Sequence, residues 1–138
     1  MSTLVTANIQ NTGSGAPTVK NSSGTEIGQF ARAWVQFQST NTFTVRNSFN
    51  VSSVSDDATG RYTVNFDTAF TNVNYAFTGK AQQMDTNDDG NFKSVNERKH
   101  TGASRSTTSF PADSSDWIKD FNGGLQNADR ISLVFFGD

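Results

Sequence analysis

The residues of this chain that could do chemistry are few. His100 is the single histidine, so a Ser–His–Asp relay would have to use it. No Gly-x-Ser-x-Gly elbow presents a nucleophile, and the neighbouring Arg98 and Lys99 are cations that cannot orient an imidazole as a base. His100 therefore reads as a solvated loop residue. Arg98-Lys99 reads as an exposed loop or edge, where lysine discourages strand-to-strand pairing. The run Asp85-Thr86-Asn87-Asp88-Asp89-Gly90 is richer. It places oxygen-bearing side chains at the first, third and fifth positions of a calcium loop and glycine at the sixth. The twelfth position, where a bidentate carboxylate closes the shell, is Asn96, with Glu97 one residue late. The favoured reading is a hairpin turn built on Asp-Gly. The alternative is a non-helical calcium site completed by a distant carboxylate such as Asp113 or Asp116.

Other combinations give less. Asp56, Asp57 and Asp67 fall where turns are expected, and Asp is favoured there for its own hydrogen bonding. A pair of carboxylates for glycoside hydrolysis is defined by spatial separation, which spacing along the chain does not fix. Gly13-Ser14-Gly15 lacks the lysine and the strand-to-helix junction of a phosphate loop. Phe92, Phe110 and Trp117 are candidates for stacking on sugar rings, or equally for anchoring loops and subunit contacts. No catalytic, cofactor-binding or metal-ligating residue is assigned, and no cofactor is expected.

The elements that must position these residues are short strands. Ala33, Val35 and Phe37 alternate with Trp34 and Gln36, the pattern of a strand covered on both sides. Phe43 and Val45, Phe49 and Val51, and Tyr62, Val64 and Phe66 continue the two-residue period, as do Val73, Tyr75 and Phe77. Ile131, Leu133 and Phe135 interleave with Ser132, Val134 and Phe136 in a C-terminal strand loaded on both faces. Residues 55–60 read as a loop in which Gly60 takes a positive φ. Phe92–Val95 and Ala103–Phe110 are candidate strands, and residues 114–121 read as one helical turn capped by Ser115. A further short strand is expected around Thr18-Val19-Lys20. Strands at roughly 8–12-residue spacing with turn signals indicate an all-β chain folded as an antiparallel sandwich or barrel, and the reading adopted is an antiparallel β-sandwich, jelly-roll-like. Residues 1–30 form a polar leader or anchor that orders against a neighbour, and residues 31–138 form the sandwich.

Composition narrows the function. The 138 residues suit one domain. Only 33% are hydrophobic, and 12 phenylalanines supply much of the apolar bulk. So thin a core invites burial against further copies of the chain. With a net charge of −2 there is no basic excess for phosphates, which argues against nucleic acid as the partner. Cysteine is absent, removing disulfides and thiol chemistry. The start MSTLVTANIQ has neither the basic nor the apolar region of a signal peptide. No run approaches the ~20 apolar residues of a membrane helix, so a soluble product made in a cytoplasm is expected.

The wording of residues 31–79 is distinctive as a set. It runs Ala31-x-Ala33-Trp34-Val35, then Arg46-x-Ser48-Phe49-Asn50-Val51-Ser52-Ser53-Val54, an Asp-rich turn closing on Gly60, Tyr62-Thr63-Val64-Asn65-Phe66, and Asn72-x-Asn74-Tyr75-Ala76. This resembles a domain of bacteriophage tail fibres and related virion-surface proteins. The closing Phe136-Gly137-Asp138 and the Met1-Ser2-Thr3-Leu4 opening are similar to phage fibre termini, while residues 80–128 match nothing familiar. The resemblance implies a β-sandwich module, commonly trimeric, displayed on a virion, with no catalytic motif to carry over. Such modules usually follow a long shaft, whereas only about 30 residues precede this one, which implies direct docking on a virion scaffold. The expected function is a tail-fibre-like appendage that contributes to host-surface attachment by multivalent display. Its expected partners are further copies of itself, another virion protein through residues 1–30, and a host surface glycan. A capsid decoration or head fibre with a stabilising role is the alternative, and a glycan-cleaving module comes third.

Overall fold

The computed structural model describes residues 17–82, 92–98, 102–117 and 124–137. These residues form ten strands: β1 Thr18–Lys20, β2 Glu26–Gln29, β3 Ala33–Gln38, β4 Thr44–Phe49, β5 Val51–Ala58, β6 Arg61–Phe66, β7 Ala76–Gln82, β8 Phe92–Glu97, β9 Ser109–Trp117 and β10 Arg130–Phe136. Two four-stranded sheets carry the fold. Sheet I has the order β4-β3-β10-β7 and sheet II the order β5-β6-β9-β8, and every pairing is antiparallel. Among the described residues, strands β1 and β2 pair only with each other.

Period-2 alternation decides which side chains meet between the sheets. Ala33, Val35 and Phe37 of β3 and Ile131, Leu133 and Phe135 of β10 are buried from sheet I. Tyr62, Val64 and Phe66 of β6 and Phe110 and Ala112 of β9 are buried from sheet II. Phenylalanine does supply the bulk. Phe135 lies 5.1 Å from both Phe66 and Phe110, centroid to centroid, in edge-on contacts that suit the ring quadrupole. Phe70 and Tyr75, from the segment joining β6 to β7, close one end of this cluster 4.4 Å apart.

Several expectations need correction. Strand β3 is not covered on both sides: its core side is sealed, but Trp34 and Gln36 on the other remain half-buried. The stretch Ser55 to Ala58 is not loop but the end of β5, and only Thr59 and Gly60 turn. Gly60 has φ 67°, and a Cβ there would sit 2.6 Å from both the Gln126 nitrogen and the Ser114 oxygen. Position 60 therefore needs glycine for conformation and for space. Val73 and Tyr75 precede β7, which starts at Ala76, and Ala103 to Thr108 is irregular. The expected helical turn at Ser115 is instead the end of β9, where Ser115 pairs with Ser94 of β8. A strand with sheet partners on both sides has its backbone groups satisfied by the ladders, which outweighs a local cap.

The corner between the sheets is held by one residue. Asn50, with φ 53°, stands alone between β4 and β5. Its side-chain oxygen accepts from the Thr68 N–H at 2.6 Å and its amide donates to the Thr68 carbonyl at 3.1 Å. Asparagine tolerates this left-handed conformation better than most residues and bonds the backbone from it.

Candidate functional site

The two outer faces of the sandwich differ in the groups that the fold itself leaves unused. On sheet II the polar side chains bond one another. Asn65 donates to the Ser53 hydroxyl at 3.0 Å, Thr63 to Asp57 at 2.7 Å, and Ser94 and Ser115 share a bond of 3.1 Å. Arg98 lies across this face. It is not the exposed loop cation expected but is buried, with an Nη2–Asp57 contact of 2.7 Å and Asp113 3.8 Å from its Nε. Thr63 and the Tyr62 carbonyl also accept from it, at 3.0 and 3.3 Å. Burial of a guanidinium is tolerable only with such compensation. Asp57 is thereby engaged by Arg98 at hydrogen-bond distance, and Asp113 lies near the same guanidinium at 3.8 Å. Asp56, on β5 rather than in a turn, has its carboxyl raised above the usual range by burial and by the nearby Asp57. Asp67 is exposed just beyond β6.

On sheet I the outer face is different. Trp34 pairs across the sheet with Phe49 of β4 on one side and with Val134 of β10 on the other. Two residues along, Gln36 pairs with Asn47 and with Ser132. The register thus lays an apolar row beside an amide and hydroxyl row, roughly 7 Å apart from the strand rise over two residues. Between them lies a groove of about 230 Å³ lined by Trp34, Gln36, Asn47, Ser132 and Val134, with Val35 and Leu133 beneath. Gln36 donates from Nε2 to the Ser132 hydroxyl at 3.3 Å. Asn47 uses its oxygen on the Ser48 N–H at 2.9 Å. Among the described residues, the Trp34 indole N–H and the Asn47 amide nitrogen have no acceptor. Phe49 is 56% exposed and Phe136, at the same end of the sheet, 36%.

A second, wider concavity of about 630 Å³ lies beside Val73, Asn74, Tyr75, Glu97 and Ala103 to Arg105. Its charges are spent internally. Arg105 donates from Nε and Nη2 to the two Glu97 oxygens and from Nη1 to the Tyr75 carbonyl, and its guanidinium sits over the Tyr75 and Phe110 rings. The Glu97 hydrogen bond holds the guanidinium above its ordinary value. Burial pushes the Tyr75 phenol to about 12, against the lowering influence of Arg105. This is the chemistry of a clamp between β7, β8 and the core.

The remaining candidates divide cleanly. Asp85 to Gly90, His100, Lys99 and Gly13 to Gly15 lie outside the described residues, as do the side chains of Phe92, Asp116 and Trp117. Phe110 is fully buried and unavailable to a sugar. Among the described residues no three His, Asp or Glu side chains group closely enough to hold a metal. Sequence reasoning missed the Trp34 face because its members, at positions 34, 36, 47 and 132, come together only through register. The one signal in the sequence was Trp34 standing on the opposite parity to Ala33, Val35 and Phe37. Comparison with known proteins adds no further site: no protein-family model, curated protein or solved structure matches this chain.

Proposed function

We propose that this chain is a structural protein of a phage virion, a tail-fibre-like appendage on the particle surface that contributes to host attachment by multivalent display. It acts by binding rather than catalysis, as a homotrimer whose residues 1–30 engage another virion protein. The observation that carries this reading is a division of labour. The strands from β3 to β10 bury a shared core, while among the described residues the β1–β2 hairpin has no sheet partner outside itself, and Ile27 is 63%, Phe30 47% and Val19 43% exposed. A two-stranded hairpin alone is marginal in water, so an apolar hairpin beside a finished sandwich suits an anchor completed by a neighbour. The wording of residues 31–79 supports the phage assignment, and those residues supply strands β3 to β6 and the start of β7. The jelly-roll-like reading rests on the pairing of β3, first of the sandwich, with β10, its last.

Antibody-gold images of intact particles test the proposal. Gold at the tail end supports attachment, and gold over the head turns the assignment to capsid decoration. No gold on any particle overturns the virion reading. Residues 31–138 produced alone are expected to stay folded and oligomeric yet fail to decorate particles. Decoration by that fragment would remove the anchor.

A further inference from the structure

We propose that the groove on the outer face of sheet I binds one ring of a neutral saccharide, with Trp34 as its platform and Gln36, Asn47 and Ser132 as its hydrogen-bonding rim. A pyranose has an apolar face of C–H groups and an edge of hydroxyls. The negative face of an aromatic ring attracts such polarised C–H groups, and a half-buried indole flanked by Phe49 and Val134 gives that attraction a fixed support. The adjacent row is chemically matched to the hydroxyl edge. Gln36 and Asn47 each carry donors and an acceptor, and a serine hydroxyl can do either. The Gln36–Ser132 bond of 3.3 Å leaves the serine proton free to donate outward. The indole N–H and the Asn47 amide nitrogen stand without acceptors among the described residues.

Charge and size narrow the ligand class. The residues lining the groove carry no charge, with the cation Lys80 standing beside it as the cross-strand partner of Ser132, so the lining itself fits an uncharged ring, a neutral hexose or N-acetylhexosamine. At about 230 Å³ the groove is below the roughly 300–1,000 Å³ of drug-sized sites, which suits a single ring. A second copy of the chain is the rival occupant. It could cover the Phe49–Trp34–Val134 row, but would strip water from the Asn47–Gln36–Ser132 row beside it, and buried amides without partners are costly. Sugar hydroxyls satisfy both rows together. The inference gives the attachment reading its ligand class. Soluble glycosides need no particle, however, so particle labelling and sugar binding fail separately.

The test is an NMR titration of the full chain with the methyl glycosides of glucose, galactose, mannose and N-acetylglucosamine. At least one is expected to shift the Trp34 indole and the Gln36 and Asn47 amide signals saturably, with a dissociation constant on the order of 1 mM. Trp34→Ala is expected to weaken that binding about tenfold or more, as loss of an aromatic hot spot does. Asn47→Ala, on the edge strand β4, should weaken it several-fold while leaving the unfolding curve unchanged. Three results overturn the proposal: no shift with any of the four glycosides, shifts that map away from the groove, or full binding by folded Trp34→Ala protein. Indole signals that move with protein concentration in the absence of sugar, together with an oligomer that Asn47→Ala leaves intact and Trp34→Ala dissociates, would assign the face to a second copy and overturn it as well.

Discussion

The outer faces of the two sheets draw on similar residues, amides and hydroxyls with a few charges, yet they use their hydrogen bonds differently. On sheet II many polar groups bond to one another around the buried Arg98, which donates to Asp57 and Thr63 and lies 3.8 Å from Asp113, while its Nε makes no hydrogen bond among the described residues. On sheet I an indole lies beside three polar side chains that share one mutual bond, Gln36 to Ser132. The shared core does not demand this asymmetry, because both sheets bury their inner faces equally well. A face whose polar groups are largely used on one another contributes to stability. A face that presents aromatic area and unspent donors is available for recognition.

That contrast can be broken or sharpened by experiment. The largest effect is expected in alkali and sets the baseline common to both sheets. The chain has two tyrosines, both buried. Burial raises Tyr62 and Tyr75 from 10.0 to about 12, outweighing the lowering by Ser39 at Tyr62. A raised phenol stabilises the fold fully below the unfolded value, and that contribution disappears as pH climbs through the folded one. Tyrosinate absorbance and circular dichroism should therefore change together between pH 10 and about 12. A separate tyrosinate step near pH 10 with the fold intact would contradict the burial.

Next comes sheet II itself. Arg98→Ala removes the cation beside Asp57 and Asp113 and should cost about 3 kcal/mol in denaturant unfolding. A loss under about 1 kcal/mol, the worth of a surface pair, would make its network ornamental. Where the sheets adjoin, Gly79→Ala would put a Cβ 2.6 Å from Leu133 Cδ2 and 2.8 Å from Val95 Cγ1. That crowding should cost about 1–3 kcal/mol by thermal or denaturant unfolding. The smallest effect belongs to sheet I. Phe49→Ser, at a position 56% exposed, should change stability by about 0.5 kcal/mol or less. A large loss there would mean that the outer aromatic row serves the fold and not a ligand.

Strands with strict alternation were legible in the sequence. Tyr62, Val64 and Phe66, and Ile131, Leu133 and Phe135, mark β6 and β10, and all six point into the core as their period requires. β9 was not legible for a physical reason. Its inward positions beyond Phe110 are Ala112 and Ser114, both fully buried, so small residues hid the apolar period and Ser115 mimicked a helix cap. Arg98 misled likewise, since its charge signals exposure and its compensation comes from Asp57, 41 residues away. The candidate face was least legible of all. Gln36 and Ser132 are 96 residues apart, and a one-residue slip in either pairing would send them to opposite sides.

The pairing of β3 with β10 bears on how the protein is made. β3 occupies an inner position of sheet I, so during translation it waits with one edge unpaired until residues 130–136 have left the ribosome. Closing a loop of 96 residues costs about 4 kcal/mol of chain entropy beyond a constant, and contacts of such separation fold slowly. The nascent chain therefore carries an open, aromatic-rich sheet edge until β10 emerges. Crowded ribosomes producing many copies side by side would be the setting in which strands exchange between chains, and β10 is the strand that prevents it.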